Sequence, residues 1–208
     1  MDIANLILDY IKVLVWPAAA LVFLLMYRDD LSNVIRRVKS VPTPAGTIEF
    51  VEEARVLLDQ AEAKARVAVS PSTRRGALRR LEHATDVLQG GKLLWVDDHP
   101  AHNRSLIKLF RAAGMEVDTA VSTGEALTLL RRHAYDLILS DIGRDDDQQA
   151  GTTMLRDLER LDIDTPVVLY TFDFDYDRGF PSRAFAATDV PDEVVHYVID
   201  LMERAKLS

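Results

Sequence analysis

Four side chains able to do chemistry stand at the ends of three apolar runs. Leu94-Trp95-Val96 stops at the adjacent pair Asp97-Asp98, Leu137-Ile138-Leu139-Ser140 stops at Asp141, and Val167-Val168-Leu169-Tyr170 stops at Thr171. Short continuous apolar runs are what strands buried on both faces of a parallel sheet look like. In open α/β sheets the ligand sits in the crevice beyond the carboxyl ends of such strands. Three strands would therefore deliver Asp97, Asp98, Asp141 and Thr171 to one crevice. Gathered carboxylates repel one another, so the crevice is expected to want a hard divalent cation such as Mg²⁺.

The elements that must hold these side chains alternate regularly. Strands are expected near Lys92–Val96, Glu116–Ala120, Asp136–Ser140, Pro166–Thr171 and Phe185–Thr188, and helices near Ala101–Ala113, Thr123–Arg132, Thr152–Leu161 and Pro191–Ala205. The fold class is thus α/β, a doubly wound five-stranded parallel sheet. Ser122 and Glu125 have the spacing of a capping box, and Pro191 suits a first helical turn. Between Thr171 and Phe185 there is little room for a full helix, and Phe172-Asp173-Phe174-Asp175-Tyr176-Asp177 does not read as one.

At these residues the segment resembles a receiver domain of two-component signalling, with a flavodoxin-like fold. The acidic pair Asp97-Asp98, the lone Asp141, Thr171 and Pro191 carry the resemblance, supported by Ala126-Leu127 and Gly151. It covers roughly residues 90 to 206. It implies Mg²⁺ held by Asp97, Asp98 and Asp141, with the backbone carbonyl near Gly143 as a further oxygen ligand. It also implies Asp141 as phosphoacceptor, Thr171 as the switch hydroxyl, and a histidine kinase or other phosphodonor as partner. One element departs from the pattern. Receivers usually carry a lysine before the proline that follows the fifth strand, and here Val190 occupies that place; no lysine lies between Lys108 and Lys206. Arg178 and Arg183 are the nearby cations that could stand in.

Other constellations read more plainly. Asp145-Asp146-Asp147 is a solvated acidic loop, and His99 and His102 read as a loop residue and a first-turn residue rather than as ligands. Asp173, Asp175 and Asp177 alternate like half a calcium loop, but Arg178 replaces the required glycine and Ala184 the closing glutamate. A Mg²⁺-dependent hydrolase wants its nucleophile and acid two residues apart, and Asp97-Asp98 are adjacent, so the chain is expected not to be an enzyme.

Composition sets the outer bounds. A chain of 208 residues with 48% hydrophobic and 28% charged residues is neither disordered nor uniformly membrane-embedded. A net charge of −8 argues against a general nucleic-acid binder, and the absence of cysteine excludes disulfides and thiolate chemistry. The N-terminal part is different material. Val13 to Tyr27 carries no charge, and extending back to about residue 4 gives a single membrane span over 4–28. Lys12 can snorkel outward, while Tyr10, Trp16 and Tyr27 suit the interfacial belts. Arg28, Arg36, Arg37 and Lys39 follow the span, so the positive-inside rule places the rest in the cytoplasm, at the inner (cytoplasmic) membrane.

Residues 29–89 are expected to be a juxtamembrane segment and helical linker, and residues 90–208 the receiver-like domain. Pro42-Thr43-Pro44-Ala45-Gly46 breaks the chain. Phe50, Ala54, Leu57, Leu58, Ala61 and Ala65 then recur at helical spacing within Ile48–Val69, and a basic helix follows over Thr73–Leu88. These two helices form either a hairpin on the receiver or a coiled coil, and as an arm they are expected to set homodimer contacts. Two functions follow. One is a membrane-anchored phosphoaccepting receiver without a separate output domain. The alternative is a pseudo-receiver, never phosphorylated, that works as a membrane-tethered scaffold or effector module.

Overall fold

The computed structural model describes residues 44–144, 149–172, 174–175, 177 and 179–207. Their five strands are all parallel: β1 (Lys92–Val96), β2 (Glu116–Ala120), β3 (Leu137–Ser140), β4 (Val167–Tyr170) and β5 (Ala186–Thr188), in the order β2-β1-β3-β4-β5. Side chains alternate between faces along each strand, which explains why the runs are continuously apolar. Leu93, Trp95, Leu137, Leu139, Val168 and Tyr170 point into one core. Leu94, Val96, Ile138, Val167 and Leu169 point into the other.

Helices cover both faces. The first core is closed by α4 (Arg104–Ala112) and α7 (Pro191–Leu207), the second by α5 (Thr123–Leu130) and α6 (Ala150–Arg160). Outside α4 and α7 lies a further layer. It consists of α1 (Pro44–Ala65), α2 (Pro71–His83) and the single turn α3 (Thr85–Leu88). The stripe anticipated on α1 faces inward, with Ala54, Leu57, Leu58, Ala61 and Ala65 all buried. Of the two arrangements open to these helices, the structure has the hairpin: α1 packs on α4 and α7, and α2 on α7. On α1, Ile48 and Val56 are exposed.

Residues 44–208 make one compact unit. The span expected at 4–28 lies outside the described residues, as does the acidic run 145–147; among the described residues no helix is long and apolar enough to cross a membrane. Several boundaries move for local reasons. Helix α1 starts at Pro44, at home in a first turn, and stops before Arg66, which takes a left-handed φ of 58°. Helix α4 starts at Arg104 rather than Ala101. The chain first makes a turn in which His102 N–H donates to His99 O at 2.8 Å and Asn103 N–H to Pro100 O at 3.2 Å.

Between β4 and β5 the described residues include no α-helix, as the sequence anticipates.

Candidate functional site

Backbone hydrogen bonds running past the strand ends set the crevice. Asp97 N–H donates to Ala120 O at 2.9 Å, Asp141 N–H to Val96 O at 3.0 Å, and Thr171 N–H to Thr188 O at 3.2 Å. With Val96 opposite Ser140 in the β1–β3 register, Asp97 and Asp141 must emerge side by side. They do. One carboxylate oxygen each from Asp97, Asp98 and Asp141 lie within 4.8 Å of one another.

The three carboxylates differ in what holds them. Asp97 is 2% exposed and both its oxygens are engaged: Oδ1 accepts His99 N–H at 2.8 Å, and Oδ2 accepts the Asn103 side-chain amide at 2.7 Å. Asp98 is half-buried, with Oδ2 3.1 Å from His99 Nδ1. His99 stacks on His102 at 5.3 Å, and His102 lies in the turn ahead of α4 rather than in the helix's first turn as expected. Asp141 Oδ1 is buried and has no hydrogen-bond partner among the described residues. Burial lifts the Asp141 pKa from an ordinary 3.8 to about 6. The charges of Asp97 and Asp98 push the same way, against the Thr171 hydroxyl and the Ile142 N–H, which favour the ionised form.

A buried, unpartnered carboxylate oxygen facing two further carboxylates fits a small divalent cation. Such an ion takes oxygen ligands and would remove both the mutual repulsion and the missing partner. The set Asp97, Asp98 and Asp141 thus fits Mg²⁺.

Gly151 lets the site form. A Cβ there would stand 2.5 Å from Asp141 O and 2.9 Å from Ile142 Cα, and Gly151 N–H donates to Ile142 O at 2.8 Å. Only a residue without a side chain allows α6 to start against the backbone that carries Asp141. Beside Thr171 and Gly143 a cavity of about 480 Å³ opens, lined also by Ile142, Thr152, Phe172 and Phe180.

Residues 189 and 190, which follow β5, are Asp and Val, not cations. Val190 is half-buried, and its N–H donates to Thr188 Oγ1 at 3.0 Å, while that hydroxyl donates to Glu193 Oε2 at 2.6 Å. Arg183 is not the substitute. Its guanidinium donates to Ile163 O at 2.7 Å and Thr165 O at 3.3 Å, ahead of β4 and so at the opposite end of the sheet. Arg178 lies outside the described residues.

Residues 93–181 match the family model of the response regulator receiver domain, the strands and acidic crevice just described up to the segment before β5. The chain carries a response regulator receiver domain. Over 102 residues it is 33% identical to a two-component response regulator of Arabidopsis thaliana; the match takes in 48% of this chain and 19% of that protein, so the chain spans about a fifth of its curated relative. Among solved structures it is similar to the response regulator TrrA of Thermotoga maritima, determined in complex with Mg²⁺-BeF. There the identity is 26%, the coverage 53% of this chain and 98% of that one, and the TM-score 0.47. A Francisella receiver domain matches at 24% identity, 56% and 99% coverage and a TM-score of 0.49. Receiver domains bind Mg²⁺ at an acidic cluster, and in this receiver Asp97, Asp98 and Asp141 form one.

Sequence reading missed one participant in the site, Asn103, and one buried ion pair outside it, that of Arg74. Asn103 escaped because the helix was expected to begin at Ala101, which buried Asn103 in its first turn. Arg74 escaped because nothing local distinguishes it from its neighbours Arg75, Arg79 and Arg80. Yet Arg74 donates through Nε to Asp192 Oδ1 at 2.7 Å and through Nη2 to Glu62 Oε2 at 2.7 Å, and it also contacts Asp59. Burial opposes its charge, but pairing with Asp192, then Asp59 and Glu62, outweighs that and raises its pKa. Asp192, anticipated as a dipole partner at the start of α7, is fully buried beneath this guanidinium.

Proposed function

We propose that the chain is a membrane-anchored receiver protein of two-component signalling that accepts a phosphoryl group on Asp141. The buried Asp141 Oδ1, unpartnered and set among two other carboxylates, carries this reading. In the fold Asp141 is the carboxylate whose own environment leaves an oxygen for chemistry; Asp97 has both oxygens occupied. The ion, when bound, supplies charge neutralisation for the incoming phosphoryl oxygens. Asp97, Asp98 and Asp141, with the Gly143 carbonyl, would hold it. An Asp141 oxygen attacks phosphorus in line as the bond from phosphorus to the donor nitrogen breaks, and the electron pair leaves with the donor imidazole. Thr171, which lines the cavity beside Gly143, would be the switch hydroxyl that turns toward the new phosphoryl oxygens.

The N-terminal span over 4–28, supported by the uncharged stretch Val13–Tyr27, would tether the receiver to the inner face of the cytoplasmic membrane. A histidine kinase is the natural donor, since receiver domains in general are served by one.

A second reading has its own support. Val190 stands where receivers carry the phosphoryl-contacting lysine, and no α-helix occurs among the described residues between β4 and β5. Both favour a pseudo-receiver scaffold on the membrane.

Signalling output in cells carrying Asp141→Asn, with the variant's membrane abundance measured alongside, separates the two. Loss of output at normal abundance supports the phosphoaccepting receiver. Wild-type output supports the scaffold, and recovery of the full chain in the salt-washed soluble fraction removes the tether.

A further inference from the structure

Asn103 occupies the N-cap position of α4, the place where an asparagine side chain normally accepts a backbone N–H from the first helical turn. It makes no such bond. A helix start without such a bond leaves an N–H of its first turn without that partner. Instead the side chain turns back into the protein, only 7% exposed, and places its amide nitrogen 2.7 Å from Asp97 Oδ2. The orientation follows from charge. An ionised carboxylate is acceptor-only, so the NH₂ end must face it, because the amide oxygen there would meet a second lone pair.

A local rule broken without a local gain is expected where function overrides stability. Rotating away would leave the buried Asp97 with one partner fewer, at the mouth of a crevice holding two more carboxylates. With His99 N–H on Oδ1 and Asn103 on Oδ2, the Asp97 carboxylate is fixed at both oxygens. Its remaining lone pairs then point in set directions.

From this we infer that Asn103 is a positioning residue for the metal site. It forgoes capping α4 to hold Asp97 in the rotamer that a divalent cation meets, so the crevice binds the cation without reorganising. The inference rests on the Mg²⁺-binding reading of the crevice. Partners that orient metal ligands typically carry 10–100-fold of affinity.

Asn103→Ser and Asn103→Leu, made in the full chain in mild detergent, separate this from a plain capping role. Serine is a good cap but too short to reach Asp97, and leucine fills the volume without donor or cap. Mg²⁺ affinity is read by calorimetry, and metal-free stability by denaturant midpoint. If Asn103 positions Asp97, both variants bind Mg²⁺ roughly tenfold or more weakly, and Asn103→Ser does so with metal-free stability near wild type. Wild-type Mg²⁺ affinity in Asn103→Ser overturns the inference. A wild-type chain that binds no Mg²⁺ overturns the metal reading beneath it, an outcome distinct from the first.

Discussion

Replacing Asp141 by asparagine should stabilise the metal-free fold, and by an amount that depends on pH in a calculable way. Burial and two neighbouring carboxylates raise the Asp141 pKa from 3.8 to about 6. The folded state therefore holds this proton more tightly than the unfolded chain does. Near pH 4 and below, Asp141 is largely protonated in the fold and the penalty is small. As pH rises between the two values the unfolded chain ionises first, so folding stability falls, and above about pH 7 the whole penalty is present. It amounts to about 3 kcal/mol, reduced to roughly 2 by water reaching the open side of the crevice. Asparagine keeps the shape and drops the charge. At pH 7.5 in EDTA, Asp141→Asn should thus melt roughly 4–8 °C above wild type, and at pH 4 the two should converge. Saturating Mg²⁺ should raise wild type and leave the variant unmoved, closing the gap by mass action. Thermal unfolding of the full chain in mild detergent, at the two pH values with and without Mg²⁺, checks all four points. A variant no more stable than wild type at pH 7.5 without metal refutes the picture of a buried carboxylate with one oxygen unpartnered.

Arg74→Met should destabilise the chain by about 3 kcal/mol in denaturant unfolding, because it strands the fully buried Asp192 without its partner; a loss below about 1 kcal/mol would mean that the hairpin is held by apolar packing alone. Gly151→Ala should cost about 1–3 kcal/mol and blunt the Mg²⁺ response, since its methyl group displaces the backbone carrying Asp141. An unchanged Mg²⁺ titration would show that the close approach is not part of the site. Val190→Lys should enlarge the stability gained on phosphorylation, through a charge-assisted contact that valine cannot make; equal gains in the two proteins would contradict a crevice within reach of residue 190.

Much of this architecture was legible because burial on two faces leaves a strong mark. Leu94-Trp95-Val96, Leu137-Ile138-Leu139 and Val167-Val168-Leu169 must be apolar at every position when alternate side chains enter different cores. Their ends could therefore be read as Asp97, Asp98, Asp141 and Thr171. The Ser122 cap was legible for the same local reason, and Glu125 N–H is bound by Ser122 Oγ at 3.2 Å. Even there the reciprocal bond differs, with Glu125 Oε2 accepting Val121 N–H rather than that of Ser122. What stayed hidden depends on contacts far apart in sequence. No pattern within α2 says that Arg74 will meet Asp192, or which of hairpin and coiled coil the two helices will form. Asn103 was hidden by three residues of turn, which move the start of α4 and with it the direction of one amide.

The central claim, that Asp141 alone takes the phosphoryl group, is tested most directly by locating the modification. The full chain, given Mg²⁺ and a small acyl phosphate donor, is reduced with borohydride, which converts an aspartyl phosphate to homoserine, and its peptides are then sequenced by mass. Homoserine at position 141, dependent on Mg²⁺ and absent in Asp141→Asn, is the result expected. Unmodified peptides throughout, or homoserine at position 97 or 98 instead, would contradict it.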